Sequence, residues 1–356
     1  MTTDYYATVS VLDSLSASGD TSPAYINGLA WLNNASFETT TYLAPRVKAV
    51  AVSGGDVTTD VNTLLSYRNS DSGWGGYLNQ ASSNFHTAFA LQALKAANFT
   101  DQTIIFGAIS YLLSAQNTDG GWGFTQGDTS NVFDTAQVLS TLAQYKTTYL
   151  TDQQIAQGAT LLYSAQNPDG GFGTGQSTVY ETALALIALI ESGQGQTQPL
   201  LNAVNYLTVS QLADGSWNDD PYATALALRA LAHVKPDLAV AAADISITPA
   251  SPSAGQSVTV TATIHNSGLD TAANVTVRLL DNGTLVGDQF IGAINPGGAG
   301  QATFALNTIA PAGEHILTVA IDPANTINEL SRANNSATLR TWAAAPADLV
   351  IEPEYL

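Results

Sequence analysis

The sequence predicts a multidomain all-α plus all-β chain, in which a ring of about six helical hairpins precedes a seven-stranded immunoglobulin-like β-sandwich. Three observations predict it. A glycine-aromatic motif recurs four times, residues 1–235 carry a helical period, and residues 236–342 change to a period of two. A final stretch, 343–356, resembles the opening of the second half and is expected to start a further β domain.

The motif appears in LLSYRNSDSGWGGY (64–77), YLLSAQNTDGGWGF (111–124), LLYSAQNPDGGFGT (161–174) and YLTVSQLADGSWND (206–219). Its aromatic falls at Trp74, Trp122, Phe172 and Trp217, which are 48, 50 and 45 residues apart. The segment before each motif reads as an amphipathic helix. One is expected to start at Thr151, with Gln154 completing a capping box, and to stop near Gln166 at Asn-Pro-Asp-Gly-Gly. The segment after each motif is apolar almost all round, as in TALALIALI (182–190), which predicts burial on every face. Amphipathic helices outside and apolar helices inside describe a ring. Six inner segments can be counted, beginning at Tyr6, Tyr42, Phe85, Phe133, Tyr180 and Tyr222, against five outer ones. The missing outer helix predicts a chain cut at its start, or a ring open there.

Residues 237–342 alternate. Val258, Val260, Ala262 and Ile264 share one face, as do Val275, Val277 and Leu279, then Phe304 and Leu306, then Leu317, Val319 and Ile321. Turn clusters at 252–255, 281–283, 296–298 and 311–313 separate the runs.

The Gln-x(2–4)-Asp-Gly-Gly-Trp-Gly pattern resembles the repeat of protein prenyltransferase β subunits and of squalene and other terpenoid cyclases, which implies an α/α toroid over residues 4–235. Fold alone implies no single activity. The segment DPANTINELSRANN (322–335) resembles the CARDB module, a cell-adhesion-related domain of bacteria and archaea.

Composition narrows the function classes. Lys plus Arg number 10 against 29 Asp plus Glu, a net charge of −19, which excludes nucleic acid and anionic membrane as partners. There is no Cys, hence no disulfide, no thiolate zinc site and no cysteine nucleophile; a complement-type thioester is excluded with it. No apolar run reaches 18 residues, and residues 1–30 lack a signal-peptide pattern. The expectation is a cytosolic chain or the trimmed interior of an exported one.

The repeated Asp71, Asp119, Asp169 and Asp214 read as turn formers, and the motif aromatics as filler between hairpins. More informative is the residue after each inner-helix aromatic: Ala7, Leu43, His86, Asp134, Glu181 and Ala223 in order. Equivalent positions in a ring face equivalent directions. His86, Asp134 and Glu181 are therefore expected at one level of a central funnel, on helices about 8–10 Å apart. One turn further, Arg46 and Gln137 are expected to face inward, with Phe89 the only inward aromatic. These six are the candidate ligand-binding residues. His86, Asp134 and Glu181 are also the candidate metal set, since three protein ligands and a water suit a catalytic zinc. His86, in Asn-Phe-His-Thr-Ala, resembles the segment carrying the zinc-binding histidine of the prenyltransferase β subunits; Asp134 matches their zinc-binding cysteine by repeat position, and Val132 stands where they carry an aspartate. Cyclases of this kind imply an Asp-x-Asp-Asp acid and aromatic walls; the sequence has only the pair Asp219-Asp220. In the sandwich, Asp322, Asn325, Glu329 and Asn334 are the candidate calcium ligands, with Arg332 where the family often shows an acidic residue. The competing expectation is a loop in which these side chains cap turns.

The expected function is that of a non-catalytic secreted or cell-surface protein. Its toroid would bind a protein, small molecule or glycan, and its sandwich would act as an adhesion or spacer module. This reading needs no cofactor; zinc and calcium belong to the alternatives. One alternative is a metal-dependent or acid–base enzyme, transferase or lyase/cyclase-like, with its site in the funnel. The other is a subunit of an extracellular assembly, in which Leu349–Ile351 of the tail add a strand to a neighbour's sheet.

Overall fold

The computed structural model describes residues 2–35, 38–194, 197–306 and 309–345. The chain divides into two compact units between His233 and Val234. Among the described residues the first unit holds eleven helices. They are α1 (Thr2–Ala17), α2 (Pro23–Asn34), α3 (Thr40–Val52), α4 (Thr58–Ser66), α5 (Asn84–Ala96), α6 (Gln102–Ser114), α7 (Val132–Ala143), α8 (Asp152–Ser164), α9 (Val179–Glu191), α10 (Thr197–Val209) and α11 (Pro221–Leu231). The odd-numbered helices form the inner circle, each packed on the next, and the even-numbered ones lie outside. Apolar sequence explains the inner position: in α9 every residue from Thr182 to Leu189 is buried.

The circle closes without a sixth outer helix. Helix α1 packs against α11, and Ser14 Oγ donates to the Ala225 carbonyl across the seam at 2.7 Å. The expected opening is therefore absent. Asp13 of α1 adds a charged staple, because its Oδ2 receives Lys48 Nζ of α3 at 2.7 Å and Arg229 Nη1 of α11 at 3.4 Å.

Each repeat motif is a hydrogen-bonded knot that turns an outer helix into the next inner one. Asp119 Oδ1 accepts from the Gly121 N–H and from Ser130 Oγ, and Asp71 and Asp169 do the same in their copies. The backbone N–H groups of Trp74, Trp122, Phe172 and Trp217 donate to Thr87, Thr135, Thr182 and Thr224 of the following inner helix, at 2.8–3.0 Å. Gln116 and Gln166 reach the carbonyls of Gln154 and Pro199, in the first turn of the next outer helix. The first glycine of the motif is needed for its backbone: Gly120, Gly170 and Gly215 have φ of +88°, +86° and +88°. At Gly120 and Gly170 a Cβ would also sit 2.7 Å from a carbonyl oxygen of the next outer helix.

The capping box expected at Thr151 does not form. Thr151 is the N-cap of α8, but its hydroxyl makes no cap bond and is buried without a partner.

The second unit is a sandwich of two antiparallel four-stranded sheets. Its strands are β1 (Leu238–Ala239), β2 (Ile245–Thr248), β3 (Val258–Asn266), β4 (Ala272–Asp281), β5 (Thr284–Ile294), β6 (Ala299–Leu306), β7 (Gly313–Ile321) and β8 (Ser336–Ala343). One sheet pairs β3 with β6 on one edge and with β1 and β2 in succession on the other; the second runs β5-β4-β7-β8. The described residues thus hold eight strands where seven were expected, because a short 3-10 turn, Ala242–Asp244, splits the first edge strand in two. All the alternating residues singled out in the sequence are buried in one core between the sheets. Asn282 and Gly283, both at positive φ, make the tight β4–β5 hairpin turn.

Candidate functional site

The inner helices start with side-chain caps, and the caps decide which residues face the funnel. Ser83, Asn131, Thr178 and Asp220 are the N-caps of α5, α7, α9 and α11. Three residues on, each candidate metal ligand folds back on its own cap. Thr178 Oγ1 donates to Glu181 Oε2 at 3.0 Å while accepting the Glu181 N–H. Asn131 Nδ2 donates to Asp134 Oδ2 at 2.7 Å and its Oδ1 accepts the Asp134 N–H. Ser83 Oγ accepts the His86 N–H and pairs with His86 Nδ1 at 2.7 Å, and His86 Nε2 pairs with Thr41 Oγ1 at 2.9 Å. Burial of this imidazole pushes its pKa down to about 4. His86 is therefore a neutral link between α5 and α3.

This geometry corrects the expected metal site. Among the described residues no three His, Cys, Asp or Glu are grouped so as to hold a metal ion. His86, Asp134 and Glu181 stand at one level, as the repeat requires, but each spends its side chain on a helix cap. The residues present do not fit a zinc ion.

The funnel is lined instead by the residue one position earlier. Tyr6, Phe85, Phe133, Tyr180 and Tyr222, with Phe89 and Asp220, surround a cavity of about 450 Å³. Their rings form a chain of contacts. Phe85–Phe133, Phe133–Tyr180 and Tyr180–Tyr222 have centroids 5.6, 5.3 and 5.3 Å apart, and Tyr6–Tyr222 6.2 Å. Burial raises the pKa of the Tyr180 and Tyr222 phenols. The collar thus has a phenyl side and a hydroxyl side. This overturns the expectation of a funnel with Phe89 as its only aromatic.

Helix α3 departs from the pattern by one residue. Its N-cap is Thr39, so Tyr42 occupies the third helical position and not the second. Tyr42 packs on Tyr5 and Tyr6, with centroids 4.8 and 5.6 Å away. Thr41 takes the position that holds an aromatic in α5, α7, α9 and α11 and meets His86. Arg46 consequently points away from the funnel, to Asp60 of α4 at 3.2 Å and the Asn33 carbonyl at 3.3 Å. Pro45 and Lys48 replace it at the funnel wall.

Below the collar a smaller space of about 70 Å³ shares Tyr6, Phe89 and Tyr222 with it. It is lined further by Ser10, Asp13, Lys48, Gln92, Gln137 and Arg229. Of the six candidate ligand-binding residues, Phe89 and Gln137 line the funnel, while Arg46, His86, Asp134 and Glu181 are held as described. Asp134 keeps one feature of chemical interest: Oδ1 is buried without a partner, and burial raises the carboxyl pKa.

In the sandwich the calcium candidates converge on a guanidinium. Arg332 Nη1 lies 3.2 Å from Asp322 Oδ2, 2.9 Å from Asn325 Oδ1 and 3.2 Å from Glu329 Oε1, and its Nη2 donates to the Ile327 carbonyl. Asp322 also accepts the N–H groups of Thr326 and Ile327, and Glu329 accepts from Leu238 N–H and Asn335. Asn334 donates to Asp237. The side chains of Asp322, Asn325 and Glu329 already face a cation supplied by the chain, and among the four candidates only Asn334 Oδ1 is left without a partner, so calcium does not fit. The tail proposed for strand addition, Leu349–Ile351, lies outside the described residues. No helix among the described residues is long and apolar enough to cross a membrane.

Comparison with known proteins agrees with the two units. The family model of the squalene-hopene cyclase C-terminal domain matches residues 87–229, and that of CARDB residues 235–339; the A-macroglobulin TED domain model matches 36–126. Among solved structures, ent-copalyl diphosphate synthase from Streptomyces platensis is 21% identical with a TM-score of 0.54, over 65% of this chain and 50% of that one. A variant of the type II terpene cyclase MstE from Scytonema, in complex with its substrate geranylgeranyl dihydroxybenzoate, is 12% identical with a TM-score of 0.53, over 64% of this chain and 86% of that one. A CARDB domain from Pyrococcus furiosus, in complex with di-metal ions, is 24% identical with a TM-score of 0.28, over 32% of this chain and 97% of that one. The chain therefore spans half the length of the Streptomyces synthase it matches. No curated protein matches the chain in sequence.

Proposed function

For a chain that joins a terpene-cyclase-like toroid to a CARDB domain, we propose a non-catalytic ligand-binding protein of the cell surface or extracellular medium. The toroid takes a small, largely apolar molecule in its aromatic collar, and the sandwich serves as an adhesion or spacer module. The observation that carries this reading is the cavity of about 450 Å³ walled by six aromatic rings. That volume lies in the range of small-molecule sites, and an apolar wall with few polar groups is their usual make-up. The carboxylate nearest the mouth, Asp220, is occupied as a helix cap by the N–H groups of Tyr222 and Ala223. The neutral probe N-phenyl-1-naphthylamine tests the reading. A saturable fluorescence rise at one site per chain is expected. Phe133→Ala or Tyr180→Ala should weaken it about tenfold, as the loss of an aromatic anchor does. Binding that both substitutions leave unchanged would overturn it.

A second reading, an acid–base enzyme of the cyclase kind, is favoured by Asp134. A buried carboxyl biased toward its protonated form, adjacent in sequence to Phe133 of the collar, is the type of group that donates a proton. The Scytonema cyclase binds geranylgeranyl dihydroxybenzoate, so that compound is the substrate to try. An isomeric product formed by the full chain and lost in Asp134→Asn would favour the enzyme; unchanged substrate after prolonged incubation would favour the binding module.

A further inference from the structure

The small space beside the collar carries a charge pattern at odds with the rest of the chain. The protein has 29 acidic and 10 basic residues. Yet this space is lined by two cations, Lys48 and Arg229, and one carboxylate, Asp13. Both cations contact the same oxygen, Asp13 Oδ2, at 2.7 and 3.4 Å. One excess positive charge remains, with N–H donors of both side chains to spare. The two side chains are 28% and 21% exposed, and both line this space. Part of the arrangement is structural, since the cluster staples α1, α3 and α11. A staple, however, needs one cation per carboxylate, not two.

Above this floor stands the aromatic collar, from Tyr222 down to Arg229, seven residues or about 10 Å along α11. An apolar wall over a cationic floor is complementary to an amphiphile that enters head first. We propose that the funnel binds a monoanionic amphiphile, an aromatic or alkyl carboxylic acid, with its carboxylate at Lys48 and Arg229 and its apolar body in the collar. The inference rests on the collar being a ligand site. Charge selects the head group. The excess is a single unit, which one carboxylate neutralises and a diphosphate would exceed. Gln137 and Ser10 line the same space and supply neutral hydrogen-bonding groups.

The test is calorimetric titration of the full chain with three probes of one shape: 6-phenylhexanoate, its neutral amide 6-phenylhexanamide, and 6-phenylhexan-1-amine. The carboxylate is expected to bind about tenfold tighter than the amide, with the amine weakest, and its advantage should shrink as salt rises. Arg229→Gln and Lys48→Gln should each remove most of that advantage, lowering carboxylate affinity far more than amide affinity. Asp13→Asn should strengthen carboxylate binding, an effect a purely structural cluster would not produce. Equal binding of carboxylate and amide by the native chain, or a preference for the amine, overturns the carboxylate inference while the collar reading stands. Absence of binding by all three overturns both. Should a glutamine variant lose its thermal transition, the native carboxylate-to-amide ratio and its salt dependence decide the matter.

Discussion

His86 shows how a single residue type misleads and then informs. Its pKa is pushed down to about 4 by burial, whereas an unfolded histidine titrates near 6.5. Between those values the unfolded chain binds the proton and the folded chain does not. Stability is therefore complete above about pH 6.5 and falls as pH drops toward 4, by about 3 kcal/mol over the window. Denaturant titration at pH 7 and pH 4.5 should show that loss in the native protein and a smaller one in His86→Gln. Asp134 acts with the opposite sign: its raised pKa means the folded state holds a proton longer, so its contribution declines as pH rises through the folded value. In the sandwich, Arg332→Ala leaves Asp322 and Glu329 buried without their cation. A loss of about 3 kcal/mol is expected in the unfolding transition of that domain. The residue types of the site were legible in the sequence, but their direction was not. His, Asp and Glu at one level of a ring suggest metal chemistry; the structure puts them one residue, about 100° of helix, away from the funnel face. The signal that would have found the collar was present: six inner segments each begin with Tyr or Phe, one position before the residues expected to face inward.

Caps matter more than composition in deciding how each element is turned. The repeat spacing located the helices from α4 to α11, because a period of 45–50 residues with a glycine-aromatic knot leaves room for only one hairpin. Alignment on the aromatic still misplaced α3, where the cap, Thr39, lies one residue farther from its tyrosine. That shift sends Arg46 outward and admits Lys48 to the funnel. The knot itself makes a prediction. Three copies place glycine at φ near +87°, but the first places Ser72 there, at +77°. Ser72→Gly should raise stability by about 1 kcal/mol, read as an increase in Tm, since the left-handed strain of a side-chain-bearing residue is removed. Trp122 offers the converse. Its Nε1 donates to the Leu112 carbonyl at 2.7 Å, as Trp74 and Trp217 donate to Leu64 and Leu207. Trp122→Phe keeps the ring and loses that bond, and should cost about 1–3 kcal/mol by leaving a buried carbonyl unpaired.

For the molecule as a whole, the two periods of the sequence correspond to two units with separate cores, and the alternation of the second half marked its buried residues one by one. Ring closure was less legible. Counting helices suggested a gap, yet the gap is closed by α1 against α11 and by the Asp13 cluster, which is long-range and has no local signature. The same cluster ties the fold to its proposed use, because the residues that close the ring also make the floor of the funnel. A crystal structure of the full chain grown with N-phenyl-1-naphthylamine tests the central claim most directly. The account predicts the naphthyl group inside the inner circle, against Phe133 and Tyr180, with His86, Asp134 and Glu181 turned back onto their caps. A probe bound anywhere else, or a funnel faced by those three polar residues in place of the aromatic collar, would contradict it.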